Sequence, residues 1–355
     1  MSLTALEVRD FRNLARVELP LPPDGIAVTG DNGHGKTSLL EAISYLHVLR
    51  SMRGAHDADV IRFGAPAFHV RAHTDRTIGI GYERATKRKR VTLDGVEPPR
   101  LTDALGAVPS VMFSPADVSL VRGAPGERRR FLDIMLGVTS HAYLRSLQAY
   151  RAALARRNAA LRSGGPVAVW EPPLAQHGAV IWRERLAWVQ HSAPALTRLA
   201  QRIGETGAVA AHYASSLGED ASEEAIARAL ADGRATDIKR GLTRAGVHRD
   251  DIAMTLDGND LRTFGSAGQQ RTVAIALRML EAETLKDRIG TAPVFLLDDP
   301  FAELDLGRAR RILALLRERG LGQTVLTVPR AGDIPAELTS LERWTVRSGE
   351  VSRDE

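Results

Sequence analysis

The chain of 355 residues contains no cysteine, and that absence removes several kinds of chemistry at once. Disulfide bonds, cysteine-ligated zinc sites and thiol catalysis are all excluded. No apolar run approaches the length that crosses a bilayer. The first ten residues include acidic side chains and no apolar segment, so we expect no signal peptide. These absences are compatible with a cytoplasmic protein that has no membrane partner.

Lysine is also scarce, although the chain carries a formal net charge of +5 and a pI near 9.8. Almost all basic residues are arginine. A basic protein suits an anionic partner such as nucleic acid. A GC-rich coding bias would produce the same composition, so the charge alone does not decide between the two explanations.

The most informative motif is G-x-x-x-x-G-K-T at residues 30–37, which is typical of an NTPase phosphate loop. An apolar run at 25–29 predicts a buried strand before it, and helical spacing over 38–49 predicts a helix after it. Lys36 can reach the β- and γ-phosphates, and the Thr37 hydroxyl can bind Mg²⁺. The sequence therefore predicts an ATP and Mg²⁺ site, and a chance glycine cluster is the alternative. The residues expected to bind ATP are Gly30, Asn32, Gly33, Gly35, Lys36, Thr37 and Ser38.

A second apolar run, residues 294–297, ends in two carboxylates. Asp298 would hold the Mg²⁺ shell together with Thr37, and Asp299 would orient or deprotonate the attacking water. We therefore expect Lys36, Asp298 and Asp299 to be catalytic. A buried strand that ends in acidic residues is common, and only its pairing with the phosphate loop makes this pattern specific.

Ser266-Ala267-Gly268-Gln269 begins a predicted helix over 269–288. Ser266 can cap that helix, whose free N–H groups would attract an anion. The pattern resembles the signature motif of ABC-type ATPases, in which Ser266, Gly268 and Gln269 would contact the γ-phosphate held by a second subunit. Residues 301–305 resemble the D-loop of the same proteins, with Glu303 and Asp305 near the dimer interface. Ordinary helix capping is the alternative for both segments.

The chain as a whole predicts an α/β fold, an ABC-type P-loop ATPase head. Strands and helices at 1–124 and 246–355 would form a mixed lobe I. In it we expect antiparallel strands at 68–74 and 78–93, closed by a turn at Asp94-Gly95, and further strands at 252–256 and 261–264. Residues 125–245 are rich in Ala, Arg and Leu and would form an inserted, mainly helical lobe II. Helix breaks are expected at residues 163–166, 171–173, 217–221 and 232–233, which is too frequent for a long coiled coil.

Two features of ABC-type ATPases are missing. No histidine occurs at 323–330, where Thr327 is the nearest candidate, and no glutamine precedes Gln148, so Asp117 is a candidate for that role. Asp299 also stands where a longer glutamate is usual. These differences predict slow ATP hydrolysis, which suits a switch better than a motor.

Motifs spread along the whole chain resemble the RecF family of bacterial recombination mediators. The resemblance implies an ATP-dependent DNA-binding protein of the SMC/Rad50-like branch, without a long coiled coil. It would form an ATP-dependent homodimer on double-stranded DNA at gaps or single-strand/double-strand junctions, near the nucleoid. With RecO and RecR it would help to load RecA onto single-stranded DNA coated by SSB. The matching segments are residues 6–14, 30–38, 111–117, 126–133, 246–251, 264–272 and 297–305.

Two basic clusters are candidates for contacts with DNA, and solvated or internally paired faces are the alternative for each. The first is a predicted hairpin and the second begins the helical segment. We expect salt-dependent binding to the phosphate backbone with little base readout. The residues are Lys87, Arg88, Lys89 and Arg90, and then Arg128, Arg129 and Arg130.

Other functions remain open at this point. A transporter-type ATPase would dock on membrane subunits, an SMC-like scaffold would retain ATP only as a vestige, and a P-loop kinase would phosphorylate a small acceptor. The basic composition and the long helical insertion argue against the transporter, and the intact phosphate loop argues against the scaffold. A kinase would have no use for Ser266 in a second subunit.

Overall fold

The computed structural model describes residues 2–301, 304–318 and 322–354. Within them, Asp117–Leu280 forms one compact unit, here the second unit, and the described residues on either side form the first. The sequence predicted the division at 124/125 and 245/246 instead. Residues 246–280 cluster with the helical segment because a strand from this stretch pairs with a strand inside that segment.

Strands and helices alternate irregularly along the described chain. The strands are β1 (Ala5–Phe11), β2 (Leu14–Pro20), β3 (Gly25–Thr29), β4 (Ala67–His73), β5 (Thr77–Glu83), β6 (Arg88–Leu93), β7 (Ser110–Phe113), β8 (Val209–Ala214), β9 (Asp251–Leu256), β10 (Asn259–Asp260), β11 (Val294–Asp298), β12 (Thr324–Val328), β13 (Glu342–Arg347) and β14 (Glu350–Arg353). The helices are α1 (Lys36–Val48), α2 (Ser119–Arg122), α3 (Pro125–Thr139), α4 (His141–Ser163), α5 (Glu171–Ile203), α6 (Glu223–Arg240), α7 (Leu261–Phe264), α8 (Ala267–Ile289) and α9 (Leu306–Glu318).

A mixed sheet of the first unit carries the strands that the sequence predicted as apolar runs. Its order is β14-β13-β3-β12-β11-β7, and the pairs from β13 to β7 are all parallel. Every residue of β3, β7 and β12 is buried, as expected of parallel strands covered on both faces. The carboxyl ends of β3 and β11 therefore lie at the same edge of the sheet.

An antiparallel sheet of the same unit has the order β2-β1-β4-β5-β6. Its strands alternate between buried apolar and more exposed polar residues, so one face belongs to the core. The turn between β5 and β6 falls at residues 84–87. Asp94-Gly95, predicted to close this hairpin, instead turns the chain after β6, where Leu93 bridges to Val96.

The core of the first unit combines both sheets with α1. Phe11, Tyr45 and Phe68 meet edge to face, with ring centroids 5.3 to 5.7 Å apart. Edge-to-face contacts of this kind stabilise aromatic clusters beyond the area that they bury. The helix that follows the phosphate loop is thus held against the antiparallel sheet by an aromatic contact that the sequence did not reveal.

The second unit is mainly helical, as predicted, but three local predictions were wrong. Residues 209–214 form a strand, β8, because pairing with β9 overrides the helical preference of its alanines. Residues 261–264 form a helical turn and not a strand, because Asp260 Oδ1 accepts a hydrogen bond from Thr263 N and caps it. The predicted break at Asp232–Gly233 lies inside the continuous helix α6.

The polar element at residues 246–251 is a hub of hydrogen bonds within the second unit. Val247 O accepts from Arg185 at 2.8 Å, and His248 Nδ1 lies 2.7 Å from Tyr150 Oη. Asp250 is fully buried and accepts from Tyr213 Oη at 2.7 Å. Because a buried carboxylate is costly without donors, this element needs the partners that surround it. A hydrogen-bond network was the structural role that the sequence suggested.

His47, in the last turn of α1, predicts a pH dependence of folding. It is completely buried, and neither ring nitrogen has a hydrogen-bond partner within the described part of the chain. Burial lowers the pKa of His47 to about 4. The unfolded chain therefore takes up this proton near pH 6.5, well before the folded chain does. The free energy of unfolding should fall by about 3 kcal/mol between pH 6.5 and pH 4 from this group alone, and level off below pH 4.

The test compares urea denaturation of wild type and His47→Leu across that pH range. As the pH falls, the free energy of unfolding should decrease less in the variant than in wild type, and the difference should equal the contribution of His47, about 3 kcal/mol. His56→Leu, which alters an exposed histidine of the same unit, should keep the wild-type pH profile. Parallel profiles for wild type and His47→Leu would contradict the assignment.

Candidate nucleotide-binding site

The phosphate loop connects β3 to α1, as its motif predicted. Gly30 and Gly35 are required there for different reasons. A Cβ atom on Gly30 would lie 2.4 Å from Val346 O, and Gly35 has a φ of +122°, which side chains rarely tolerate. The glycines thus let the loop turn tightly under the last hairpin and enter the helix directly.

Lys36 lies inside the curve of the loop. Its Nζ donates hydrogen bonds to Gly30 O at 2.5 Å and to Asp31 O at 2.9 Å. Burial lowers the pKa of Lys36, while the nearby Asp298 and Asp299 carboxylates oppose that shift. A partly desolvated ammonium held by carbonyl groups is well placed to neutralise phosphate oxygens.

Asp298, at the end of β11, brings together residues that are far apart in sequence. Its Oδ2 accepts from Thr37 Oγ1 at 2.9 Å, and its Oδ1 accepts from Thr327 Oγ1 at 2.8 Å. Adjacent ligands of an octahedral Mg²⁺ ion lie about 3.0 Å apart, because each bond is about 2.1 Å long. The hydroxyl of Thr37 and the carboxylate of Asp298 therefore fit the ion that the sequence predicted.

Asp299 has an unusual backbone conformation, with a φ of +46°. Its N–H donates to Thr327 O at 2.9 Å, which fixes the turn that follows β11. Left-handed conformations cost energy in residues other than glycine and cluster at functional sites. Asp299 lines the same cavity as Lys36, as a general base would.

The cavity around the phosphate loop has a volume of about 630 Å³. Loop residues and both aspartates line it, so the structure brings the predicted residues of the first unit together. Its lining also includes residues to which the sequence assigned no role. These are Arg12, Asn13, Arg53, Asp59, Ile61, Pro115 and Pro329.

Asn13, in the turn between β1 and β2, braces the phosphate loop. Its Nδ2 donates to Gly33 O at 2.9 Å, and its Oδ1 accepts from Ser38 Oγ at 2.7 Å. The carboxamide therefore ties the middle of the loop to the first turn of α1. A motif search centred on the loop cannot find this residue, because it lies 20 residues upstream of Gly33.

Glu41 positions two cations of the cavity. It is fully buried in α1 and accepts from Arg12 Nε at 3.0 Å and Nη2 at 2.8 Å. Ser51 Oγ donates to it at 2.6 Å, and Arg53 lies 3.8 Å away. A bidentate, buried ion pair of this kind fixes a guanidinium far better than an exposed one does. Arg12 is therefore an ordered cation at the cavity wall.

The predicted signature residues lie in the second unit. Ser266 Oγ accepts from Gln269 N at 3.3 Å, and Gln269 Oε1 accepts from Ser266 N at 2.9 Å. This reciprocal pair is a capping box at the start of α8, beside Gly268. Capping is thus present, and a role for these residues toward a second subunit stays a prediction.

The D-loop residues follow β11. Asp305 Oδ1 accepts a hydrogen bond from Arg308 N at 2.8 Å, so Asp305 caps α9. Helix capping was the alternative considered for this segment. That main-chain hydrogen bond lowers the pKa of Asp305. Glu303 lies outside the described residues.

Thr327 and Asp117, the candidates for the roles of the missing histidine and glutamine, each form hydrogen bonds in the structure. Thr327 holds Asp298, so a hydroxyl beside the carboxylate stands where a histidine was expected. Asp117 accepts from Arg278 at 2.7 Å and 3.0 Å, both within the second unit. Asp117 is therefore committed to an ion pair, and its role toward a nucleotide stays a prediction.

The predicted DNA contacts differ in accessibility. Lys87, Arg88 and Arg90 are exposed, whereas Lys89 pairs with Asp57 at 2.6 Å on the opposite face of β6. Strand alternation separates them, because neighbouring side chains of a strand point to opposite faces.

The arginines of α3 are less accessible than these. Arg128 is buried and pairs with Asp251 at 2.6 Å, and Arg129 donates to Asp250 O at 2.8 Å. Arg130 is only partly exposed and also has a partner. Contacts between any of these residues and DNA stay predictions.

Comparison with known proteins decides the family. The chain is 36% identical over 390 residues to the DNA replication and repair protein RecF of Chloroflexus aggregans, which covers 99% of both proteins. It is 36% identical over 382 residues to the RecF of Frankia alni, covering 99% of this chain and all of the relative. The chain belongs to the RecF family. No protein-family model matches it.

Solved structures agree with that assignment. RecF-ATP and RecF-ATPrS, recombination mediator proteins of the RecFOR pathway, superpose with a TM-score of 0.90 at 27% and 28% identity. They cover 100% and 99% of this chain, and it covers 98% of each. An SMC head bound to the C-terminal winged-helix domain of ScpA superposes with a TM-score of 0.57 at 15% identity, over 100% of this chain and 98% of that one. This RecF-family chain therefore has the predicted ABC-type ATPase head fold.

Two structural features are absent from the described residues: a membrane-spanning helix and a cluster of side chains that could bind a metal ion. Within the described residues, no helix is both long and apolar enough to span a bilayer. The same residues contain no cluster of three or more histidine, aspartate or glutamate side chains that would hold a metal ion by themselves. Metal binding at Thr37 and Asp298 would accordingly need oxygens from the nucleotide and water, as is usual for Mg²⁺.

Thr327 offers a test of the metal site. Thr327→Val keeps the shape of the side chain but removes the donor to Asp298 Oδ1. Loss of such a supporting hydrogen bond typically weakens metal binding 10- to 100-fold. Calorimetric titrations of ATP at a series of Mg²⁺ concentrations should therefore show a half-maximal Mg²⁺ concentration raised by about 10-fold or more.

Thr324→Val is the matched control, because Thr324 lies on the same strand and its hydroxyl donates to Gly322 O. It should leave the Mg²⁺ requirement unchanged. An equal Mg²⁺ requirement in both variants would show that Thr327 does not support a metal ligand.

Proposed function

We propose that this protein is an ATP-dependent DNA-binding protein of recombinational repair, and that Mg²⁺·ATP closes it into a head-to-tail dimer on DNA. One observation carries the ATP site: Thr37 and Asp298, far apart in sequence, meet beside the phosphate loop at 2.9 Å. Full-length similarity to RecF proteins, including a RecF-ATP structure, supports the biological role.

Different residues of the cavity would bind the phosphates, hold the metal ion and act as the general base. Lys36 would neutralise the β- and γ-phosphates, and the main-chain N–H groups of the loop would cradle them. Thr37 and Asp298 would hold Mg²⁺, which supplies charge neutralisation at the phosphates. Asp299, which lines the cavity together with Lys36, would orient the attacking water and accept its proton.

Dimerisation would use the second unit. The capping box leaves the remaining N–H groups at the start of α8 available to an anion, and a helix of 23 residues carries a partial positive charge there. Ser266, Gly268 and Gln269 would contact the γ-phosphate in the cavity of a second copy, with Glu303 and Asp305 close to the same interface.

The output of this switch would be a mediator function. Relatives with solved structures are recombination mediators of the RecFOR pathway. By that relationship, the protein would act in the cytoplasm on double-stranded DNA at gaps and junctions. There it would work with RecO and RecR to load RecA onto single strands covered by SSB.

Slow hydrolysis follows from the short side chain of Asp299. We expect turnover below about 1 s⁻¹, at the low end of enzyme rates. Asp299→Asn should abolish phosphate release while ATP still binds, because the amide cannot accept a proton. Asp299→Glu should raise the rate, because the longer carboxylate reaches further toward the phosphate. A rate of many ATP per second in wild type would contradict the switch.

Dimerisation is tested by molar mass in solution, with and without ATP, on a short gapped duplex. Wild type should double in mass with ATP. Ser266→Arg should bind ATP but stay monomeric, because a bulky cation replaces the small hydroxyl at the start of the helix.

Ser222→Arg is the matched control, because Ser222 caps α6 of the same unit through a hydrogen bond from Ala225 N at 3.2 Å. This variant should dimerise as wild type does. Monomers under every condition would rule out the ATP sandwich and leave the signature motif as a helix cap.

A further inference from the structure

The antiparallel sheet of the first unit carries a row of cations on the face turned away from the core. Strand register places Arg16, Arg9, His69, Gly81 and Arg90 directly opposite one another on β2, β1, β4, β5 and β6. All four side chains of this row are exposed. Three arginines and a histidine therefore cross the whole sheet in one line, interrupted only by a glycine.

A groove of about 730 Å³ follows this face. Gly79 and Gly81 of β5 line it, flanked by the side chains of β4 on one side and those of β6 on the other. Since neighbouring strands lie about 4.8 Å apart, the two walls are separated by about 10 Å. The groove has the width of one extended chain. Side chains of its two walls reach over the glycines, since a Cβ atom on Gly81 would lie 2.6 Å from His69 Nδ1 and one on Gly79 would lie 2.8 Å from Thr92 Oγ1.

The groove has an excess of positive charge. Four arginines and two glutamates line it, which leaves two positive charges in excess when His69 is neutral. The Arg9 side chain has no hydrogen bond or ion pair among the described residues, and it stands directly opposite Arg16, which pairs with Glu18 at 2.6 Å. An anion bound in the groove would give the Arg9 guanidinium a direct partner.

The remaining cations of the groove are only weakly engaged. Arg88 and Arg90 share Glu97 at 3.5 Å and 2.6 Å, with about two thirds of each arginine side chain exposed. Arg71 lies 3.3 Å from Glu7 and is also more than half exposed. Exposed pairs of this kind contribute little to stability, so they can exchange for a stronger anion.

We propose that this groove binds one sugar-phosphate strand of a nucleic acid, running along β5 between the cations of β4 and β6. The proposal rests on the DNA-binding function proposed above and assigns it a surface. Two rows of the sheet are separated by about 7 Å along the strand, which is twice the rise of about 3.4 Å between successive phosphates of a duplex strand. Each wall can thus meet every second phosphate.

An acidic protein segment fits the groove less well. β5 is paired on both sides, so its backbone offers no free edge to which a peptide strand could be added. Gly79 and Gly81 of β5 also offer no apolar side chains to a peptide. A phosphate backbone needs neither feature, since regularly spaced cations beside an open channel are enough.

The residues of the predicted basic run at 87–90 do not all belong to this groove. Arg88 and Arg90 line the groove, whereas Lys89 is turned away toward Asp57. Arg9, His69 and Arg71 line the same groove from other parts of the chain, and no sequence motif groups them with residues 87–90.

The test measures anisotropy of labelled gapped duplex and of labelled single strands across a salt series, with ATP present. Arg9→Ala/Arg90→Ala should weaken binding at least 10-fold at 0.1 M salt. The slope of log affinity against log salt should become shallower by about 1.8 for duplex and about 1.4 for single strands, since two phosphate contacts are lost.

Arg76→Ala/Arg100→Ala removes the same charge from exposed sites of the same unit outside the groove. This control should bind within twofold of wild type with an unchanged slope. ATP binding, measured separately, should be equal in all three proteins, which shows that the phosphate loop is intact.

The outcomes distinguish the two proposals. If wild type binds DNA and the groove variant behaves like its control, the groove is overturned while the DNA-binding function stands. If wild type binds no DNA under any condition, both are overturned. If the groove variant loses binding to labelled polyglutamate but keeps DNA binding, the groove is a site for an acidic protein, and the nucleic-acid assignment is wrong.

Discussion

The first unit depends on one carboxylate. Asp298 ends β11 and accepts hydrogen bonds from hydroxyls on α1 and β12, so three elements are held to a single side chain. Hydrogen bonds to a charged group contribute about 1.5 to 3 kcal/mol each. Parallel pairing in the mixed sheet brings β3, β11 and β12 to a common edge, which makes these contacts possible. The nucleotide site is therefore a consequence of sheet topology as much as of the phosphate-loop motif.

The two ends of the chain brace this site. Asn13, from the first hairpin, joins Gly33 to Ser38, and Gly349, from the last, donates its N–H to His34 O at 2.9 Å. The two hairpins also touch, because a Cβ atom on Gly349 would lie 2.2 Å from Asn13 O. A loop that must present N–H groups to phosphates is thereby ordered before a ligand arrives. Such preorganisation reduces the entropy lost on binding.

The sequence predicted the parts of the molecule that carry a recognisable motif. The phosphate loop, β3, α1 and the pair Thr37 and Asp298 follow from motifs in which residue type and spacing both matter, and the RecF resemblance was confirmed by full-length relatives. It failed where residues distant in sequence meet without a motif to indicate it. Helical preference did not reveal β8, because β8 exists through its pairing with β9. Arg12 and Arg53 escaped notice because only the fold brings them to Glu41.

Contacts continue from the cation-lined sheet to the nucleotide cavity within the first unit. Lys89, on the buried side of β6, pairs with Asp57, which begins a short 3₁₀ helix at Asp57–Val60. Asp59 of that helix accepts a hydrogen bond from Arg12 Nη1 at 3.2 Å, and Arg12 lines the cavity. The proposed strand-binding face and the ATP site thus share one small, cross-linked element. If binding at one site, by shifting this element, changes the affinity of the other site by some factor, thermodynamic linkage requires that the reverse effect have the same factor. A DNA-dependent ATP affinity would then follow from the same contacts that give the fold its stability.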